Sequence, residues 1–128
     1  MAFYNFSLKM IKIVQESIYK INPIMAIEKC IWRLTKEQGD WFNLDCEYLA
    51  KGKVADLVII NPEKFNNITE DVNLDAIEEF GNYAILVNRS AGVVSLVMVG
   101  GKTIFEKEQF LEGYAKSNKY GRFLEKVF

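Results

Sequence analysis

A chain of 128 residues, half of them hydrophobic and 26% charged, has the balance of one soluble globular domain or a piece of one. A net charge of −1, with lysines scattered rather than massed, excludes a nucleic-acid surface, which needs a clustered positive field. Histidine is absent, and with it go the imidazole base, the Ser-His pair and the histidine-rich zinc site.

Cys30 and Cys46 form no C-x-x-C and are too few for a disulfide framework, so both are expected as reduced thiols of a cytoplasmic protein. No apolar run approaches the roughly 18 residues of a membrane span. The opening residues carry no basic region, and Lys9 and Lys12 interrupt the apolar stretch after them, which argues against a signal peptide.

In chain order, Leu8, Ile11, Val14, Ile18 and Ile21 recur every three to four residues and predict a helix from Ser7 to Ile21. This helix is basic enough to raise a membrane-surface reading, but Glu16 opposes it and a second helix is expected to cover Ile18 and Ile21. Asn22-Pro23 is placed to cap and start that second helix, with Ile27, Cys30, Ile31 and Leu34 as its inner stripe and Gly39 near its end. Together they predict an αα-hairpin. Trp41, Phe42 and Leu44 read as an apolar connector packed beneath it.

Leu57-Val58-Ile59-Ile60 follows the Lys51-Gly52-Lys53 turn and stops at Asn61-Pro62. Apolar on both faces, it is expected as a central strand. Residues 63–80 are acidic and read as an exposed loop with one helical turn near Leu74–Ile77. Ala84–Val87 is a short strand. Val93 to Glu106 is a β-hairpin turning at Gly100-Gly101, and residues 110–128 wrap around on aromatic anchors. The expected fold is α+β: an N-terminal αα-hairpin (1–46), then a small, mainly antiparallel sheet (47–128).

Chemistry-bearing motifs are few. Asp71-Val72-Asn73-Leu74-Asp75 begins like a calcium loop, but Ala76 and Asn82 stand where glycine and glutamate are required. Gly101-Lys102-Thr103 imitates the end of a phosphate loop, but Leu96 stands where the earlier glycine belongs. Cys30 lies on a buried stripe and reads as a structural thiol. Asn88-Arg89-Ser90, between two strands, leaves two readings: an arginine fork that holds a carboxylate, or a turn with an ordinary ion pair. Asn88 and Arg89 are the candidate binding residues; no catalytic or metal-ligating residue is nominated.

The run Gly52-Lys53-Val54-Ala55-Asp56-Leu57-Val58-Ile59 followed by Pro62 resembles the G-x-x-A-D-hydrophobic signature that closes the metal-dependent amidohydrolases. Residues 24–35 resemble the helix before that strand, and Val93–Phe105 the hairpin of the accessory β-sandwich. Asn88-Arg89 and Gly121-Arg122-Phe123-Leu124 are similar to the N-acyl-D-amino-acid deacylase branch, with Ser90-Ala91 where relatives tend to continue with Asn-Asp.

The resemblance implies the C-terminal part of a hydrolase of non-peptide C–N bonds: the end of a barrel plus its accessory sandwich. Phe3-Tyr4-Asn5 resembles sequence just beyond the barrel's final aspartate. The zinc implied for full-length relatives would be held upstream, with no cofactor in this chain, which alone should be inactive. The rival expectation is a stand-alone binding or assembly module. Loss of a barrel would leave helix faces and sheet edges that seek partners, so a homo-oligomer is expected, with neither nucleic acid nor membrane as partner.

Overall fold

The computed structural model describes residues 5–44, 48–68, 73–77, 81–87, 90–114, 116 and 119–124. The fold is α+β, with helices first and two antiparallel sheets after them. Helix α1 spans Phe6–Tyr19, α2 Ile27–Leu34 and α3 Lys36–Phe42. A four-stranded sheet has the order β1 (Leu57–Ile60), β4 (Val94–Val99), β5 (Lys102–Glu106), β6 (Gln109–Phe110). Strands β2 (Asn73–Ile77) and β3 (Tyr83–Val87) form a separate ribbon.

The first helix forms where its periodicity predicts, but only half of its stripe is buried. Ile11 and Val14 are in the core and Leu8 packs against it, whereas Ile18 is exposed and Ile21 is 92% exposed. The cause lies at the helix end. Ile21 takes a φ of 57°, a left-handed conformation costly for a β-branched residue, and turns the chain away. Ser17 Oγ then accepts the N–H of Ile24 at 3.1 Å, so the second helix does not start at Pro23. It starts four residues later, with Ala26 at its cap position and no side-chain cap. Ile18 and Ile21 are therefore left without the cover expected for them.

Thr35 divides the second helical segment. Its hydroxyl bonds back to Ile31 O at 2.8 Å while its own backbone leaves helical geometry at φ −129°, ψ −93°. The Arg33–Glu37 ion pair at 3.2 Å spans the bend. Gly39 is buried inside α3, and the helix ends instead at Asn43, in left-handed conformation. Trp41, expected beneath the helices, is 83% exposed, and Phe42 is exposed beside it.

Asn61-Pro62 does what Asn22-Pro23 does not. The Asn61 side chain accepts the N–H of Glu63 at 3.0 Å, and Pro62 opens a 3₁₀ helix, Pro62–Asn67. This helix and strand β2 replace the expected acidic loop; Leu74–Ile77 is extended, paired Leu74 to Leu86 and Ala76 to Ala84. Strand β1 is likewise corrected from a central position to an edge, pairing among the described residues with β4 alone.

The core is small. Ile11, Val14, Cys30, Phe65, Ile68 and Val93 are buried together, edged by Leu8, Met10, Met25, Ile27, Leu34 and Ile60. Helices α1 and α2 thus close on the 3₁₀ helix and on the residue that leads into β4. Because the two isoleucines of the first stripe differ so much in burial, Ile11→Ala is expected to lower stability by about 2–5 kcal/mol. Ile21→Ala should change it by no more than about 0.5 kcal/mol. Urea unfolding of the two variants checks the contrast.

Candidate functional site

Asn88 and Arg89, the nominated binding residues, lie outside the described residues, as do Cys46 and Asp71. Their flanks are described. Strand β3 ends at Val87, and Ser90 O accepts the N–H of Val93 at 3.1 Å in the turn leading to β4. This turn is strapped to the 3₁₀ helix. Asn61 N–H donates to Val93 O at 2.8 Å, and the Asn67 side chain donates to Ala91 O. Gly92, at φ 72°, sits where a Cβ would approach the Lys64 stem at 3.6 Å and Glu108 Oε1 at 3.8 Å. Lys12 reaches across to Ile68 O at 3.0 Å. The contacts in this region are ones that hold a turn in place.

The Gly52–Asp56 stretch has a structural task that sequence did not expose. Gly52, at φ 86°, makes the turn before the strand. Ala55 O accepts the N–H of Gly101 at 2.9 Å, and the Asp56 carboxylate accepts the N–H of Gly100. Gly100 and Gly101 have φ of 59° and 76°, the pair of positive values that a tight hairpin turn needs. The Ala-Asp of the signature therefore grips the β4–β5 hairpin by its tip. The carboxylate thus serves as a clamp on the turn.

Two aromatic groupings are present, the first built on the aromatic anchors expected of the tail. Phe105, Phe110, Tyr114 and Tyr120 form a chain of rings with centroids 5.2, 5.1 and 5.7 Å apart, supporting the short strand β6. The ammonium of Lys102 donates to Lys119 O at 2.8 Å and lies 5.9 Å from the Tyr120 ring. Tyr48 has Lys36 Nζ at 4.8 Å and Lys53 Nζ at 5.5 Å from its ring. The aromatic content of the tail signals the first; nothing local signals the second.

Among the described residues no polar or charged side chain is buried, and no three acidic or thiol groups converge to hold a metal ion. With no histidine in the chain, these residues do not fit a zinc site. No described helix is long and apolar enough to cross a membrane. Cys30 is fully buried, and loss of solvent raises its thiol pKa above the ordinary value, which opposes thiolate chemistry.

No family model matches the chain, and no solved structure matches it. It is similar to uncharacterized proteins of Mycobacterium bovis and Mycobacterium tuberculosis, each 32% identical over 128 residues. The alignment takes in 97% of this chain and 21% of each relative, so the chain spans about a fifth of their length.

Two outcomes are expected from this geometry. In a Cys46→Ser background, Cys30 should react with a thiol reagent only as fast as the protein unfolds; stoichiometric reaction in the native state would contradict its burial. Asp56→Ala should cost about 1 kcal/mol by leaving the Gly100 N–H without its acceptor, and Asp56→Asn less, since an amide oxygen can replace it. Thermal unfolding of both variants measures the difference.

Proposed function

We propose that this chain is the C-terminal part of a cytoplasmic, metal-dependent amidohydrolase of the N-acyl-D-amino-acid deacylase-like branch, and that its task is to complete and brace that enzyme. The full enzyme would hydrolyse a non-peptide C–N bond. No residue of this chain moves a proton or holds the metal in that reaction.

The observation that carries the reading is surface. Among the described residues Phe6, Tyr19, Ile24, Trp41, Phe42 and Phe123 all stand exposed. Trp41 and Phe42 stack with ring centroids 6.2 Å apart, an exposed apolar pair of the kind that packs on another body. The similarity to one fifth of two longer proteins supports the same reading, as does the clamp formed by Ala55 and Asp56, which gives the signature's most distinctive residues a structural purpose.

A second reading, a stand-alone assembly module, is favoured by the edge position of β1, which among the described residues pairs with β4 alone. Under it the chain forms a homo-oligomer through its exposed helix faces or sheet edges, without nucleic acid or membrane. The DNA upstream of Met1 separates the two. A barrel with a His-x-His pair, in frame or frameshifted, supports the enzyme segment; an ordinary promoter with no such remnant supports the module.

For the chain alone, assays with added zinc on N-acyl-D-amino acids should stay at background, and calorimetric titration with zinc should show no stoichiometric site. Turnover above background would overturn the assignment of a purely structural part.

A further inference from the structure

Three stretches far apart in sequence meet at the tip of the β4–β5 hairpin. Ala55 and Asp56 hold the tip through the N–H groups of Gly101 and Gly100. Gly121 lies against it as well. A Cβ on Gly121 would stand 3.4 Å from Val99 Cγ1, and a Cβ on Gly100 would stand 4.0 Å from Gly121 N. Gly121 also takes a φ of 72°, in the left-handed region that glycine enters freely. Bare backbone is what touches the tip here, and a larger side chain at position 121 would be both strained and crowded. Gly101-Lys102-Thr103, which only imitates a phosphate loop, and Gly121-Arg122-Phe123-Leu124 thus belong to a single joint.

Lys102 fastens that joint. Its ammonium donates to Lys119 O at 2.8 Å and lies 5.9 Å from the Tyr120 ring. A charge-assisted bond of this kind is roughly twice as strong as a neutral one. Tyr120 in turn meets Tyr114 in a T-shaped contact, with centroids 5.7 Å apart. The segment is otherwise thinly held. Lys119, Gly121, Arg122, Phe123 and Leu124 are exposed and Tyr120 is half-buried, and none of them belongs to the core. Segments with so little burial open locally at a far smaller free energy than global unfolding.

We propose that residues 119–124 are a strap, latched to the hairpin tip by Lys102 and Gly121, that opens while the core and the β4–β5 hairpin stay folded. Closed, the strap lies on Val99 and engages the Lys102 ammonium. Open, it releases both, next to the turn that Asp56 clamps. The buried nucleus of Ile11, Val14, Cys30, Phe65, Ile68 and Val93 takes no residue from the strap, so opening leaves that nucleus intact. The device goes beyond the readings above and holds equally for an enzyme segment and for a stand-alone module.

The initial rate of chymotryptic cleavage after Tyr120, followed by mass spectrometry on the full chain, tests the latch beside urea unfolding of the same proteins. That rate tracks the population of the open form when opening and closing are fast. Lys102→Met keeps an unbranched stem and removes the donor, whereas Lys102→Arg keeps a donor. Gly121→Val sets a β-branched side chain at positive φ against Val99. Lys102→Met and Gly121→Val are expected to be cleaved about tenfold faster than wild type, the loss of a charged hydrogen bond or its equivalent. Lys102→Arg should stay near the wild-type rate, and all three should keep the wild-type unfolding midpoint. If Gly121→Val loses its fold, the lysine pair decides. Unchanged cleavage in Lys102→Met, or equal acceleration in Lys102→Arg, would overturn the latch. A drop in the unfolding midpoint that matches the faster cleavage would make residues 119–124 part of the global unit and overturn the detachable strap.

Discussion

Val14, Cys30 and Val93 meet at the one place where the helical and β parts of the chain share a core. Val93 and Cys30 are fully inaccessible, and Val14 nearly so. Around them Ile11, Phe65 and Ile68 complete a nucleus drawn from the first helix, the second helix, the 3₁₀ helix and the entrance to β4. The Asn61–Val93 backbone bond and the Asn67–Ala91 side-chain bond hold the last two of these in register. Each fully buried side chain of this size contributes roughly 1.5–3 kcal/mol. A nucleus of so few residues leaves little reserve over the entropy of ordering the chain.

The functional reading rests on the surfaces this nucleus does not reach. Helix α1 carries Ile18, and the turn after it Ile21, beyond it; α3 carries Trp41 and Phe42 away from it, and the β2–β3 ribbon shows Leu74 at 72% exposure. A two-stranded ribbon is marginal on its own in water. These apolar side chains stand exposed in the single chain. Its polar groups meanwhile clamp turns: Asp56 on Gly100, Asn61 on Glu63, Asn67 on Ala91. The proposed role as the bracing part of a larger hydrolase would account for such a distribution and assigns the chemistry to other segments.

Sequence made the locally determined parts legible. The hairpin at Gly100-Gly101 could be read because strand alternation and turn residues lie within one short stretch, and α1 because its stripe has the helical period. Position in the sheet could not. Leu57–Ile60 is apolar on both faces, as a central strand is, and only the strand order shows it at an edge. The same limit hid β2: its acidic surroundings suggest a loop, and its strand character comes from pairing with β3. The turn at Lys107 and Glu108 escaped notice because both take positive φ without a glycine to announce it. The two Asn-Pro pairs differ for a nonlocal reason too, since Ser17 engages the chain after Pro23 and nothing competes with Asn61. Of the candidate site, Asn88 and Arg89 lie outside the described residues, and the clamp by Asp56 has no local signal because its partner lies 44 residues away.

Native-state hydrogen exchange, followed residue by residue, tests most directly whether one nucleus holds this chain together. The amides of Val14, Cys30 and Val93 should open with a single common free energy, equal to that of global unfolding, while Leu74 and Leu86 exchange through a much cheaper local opening. Helical amides that opened independently of Val93, at a clearly different free energy, would contradict a shared core.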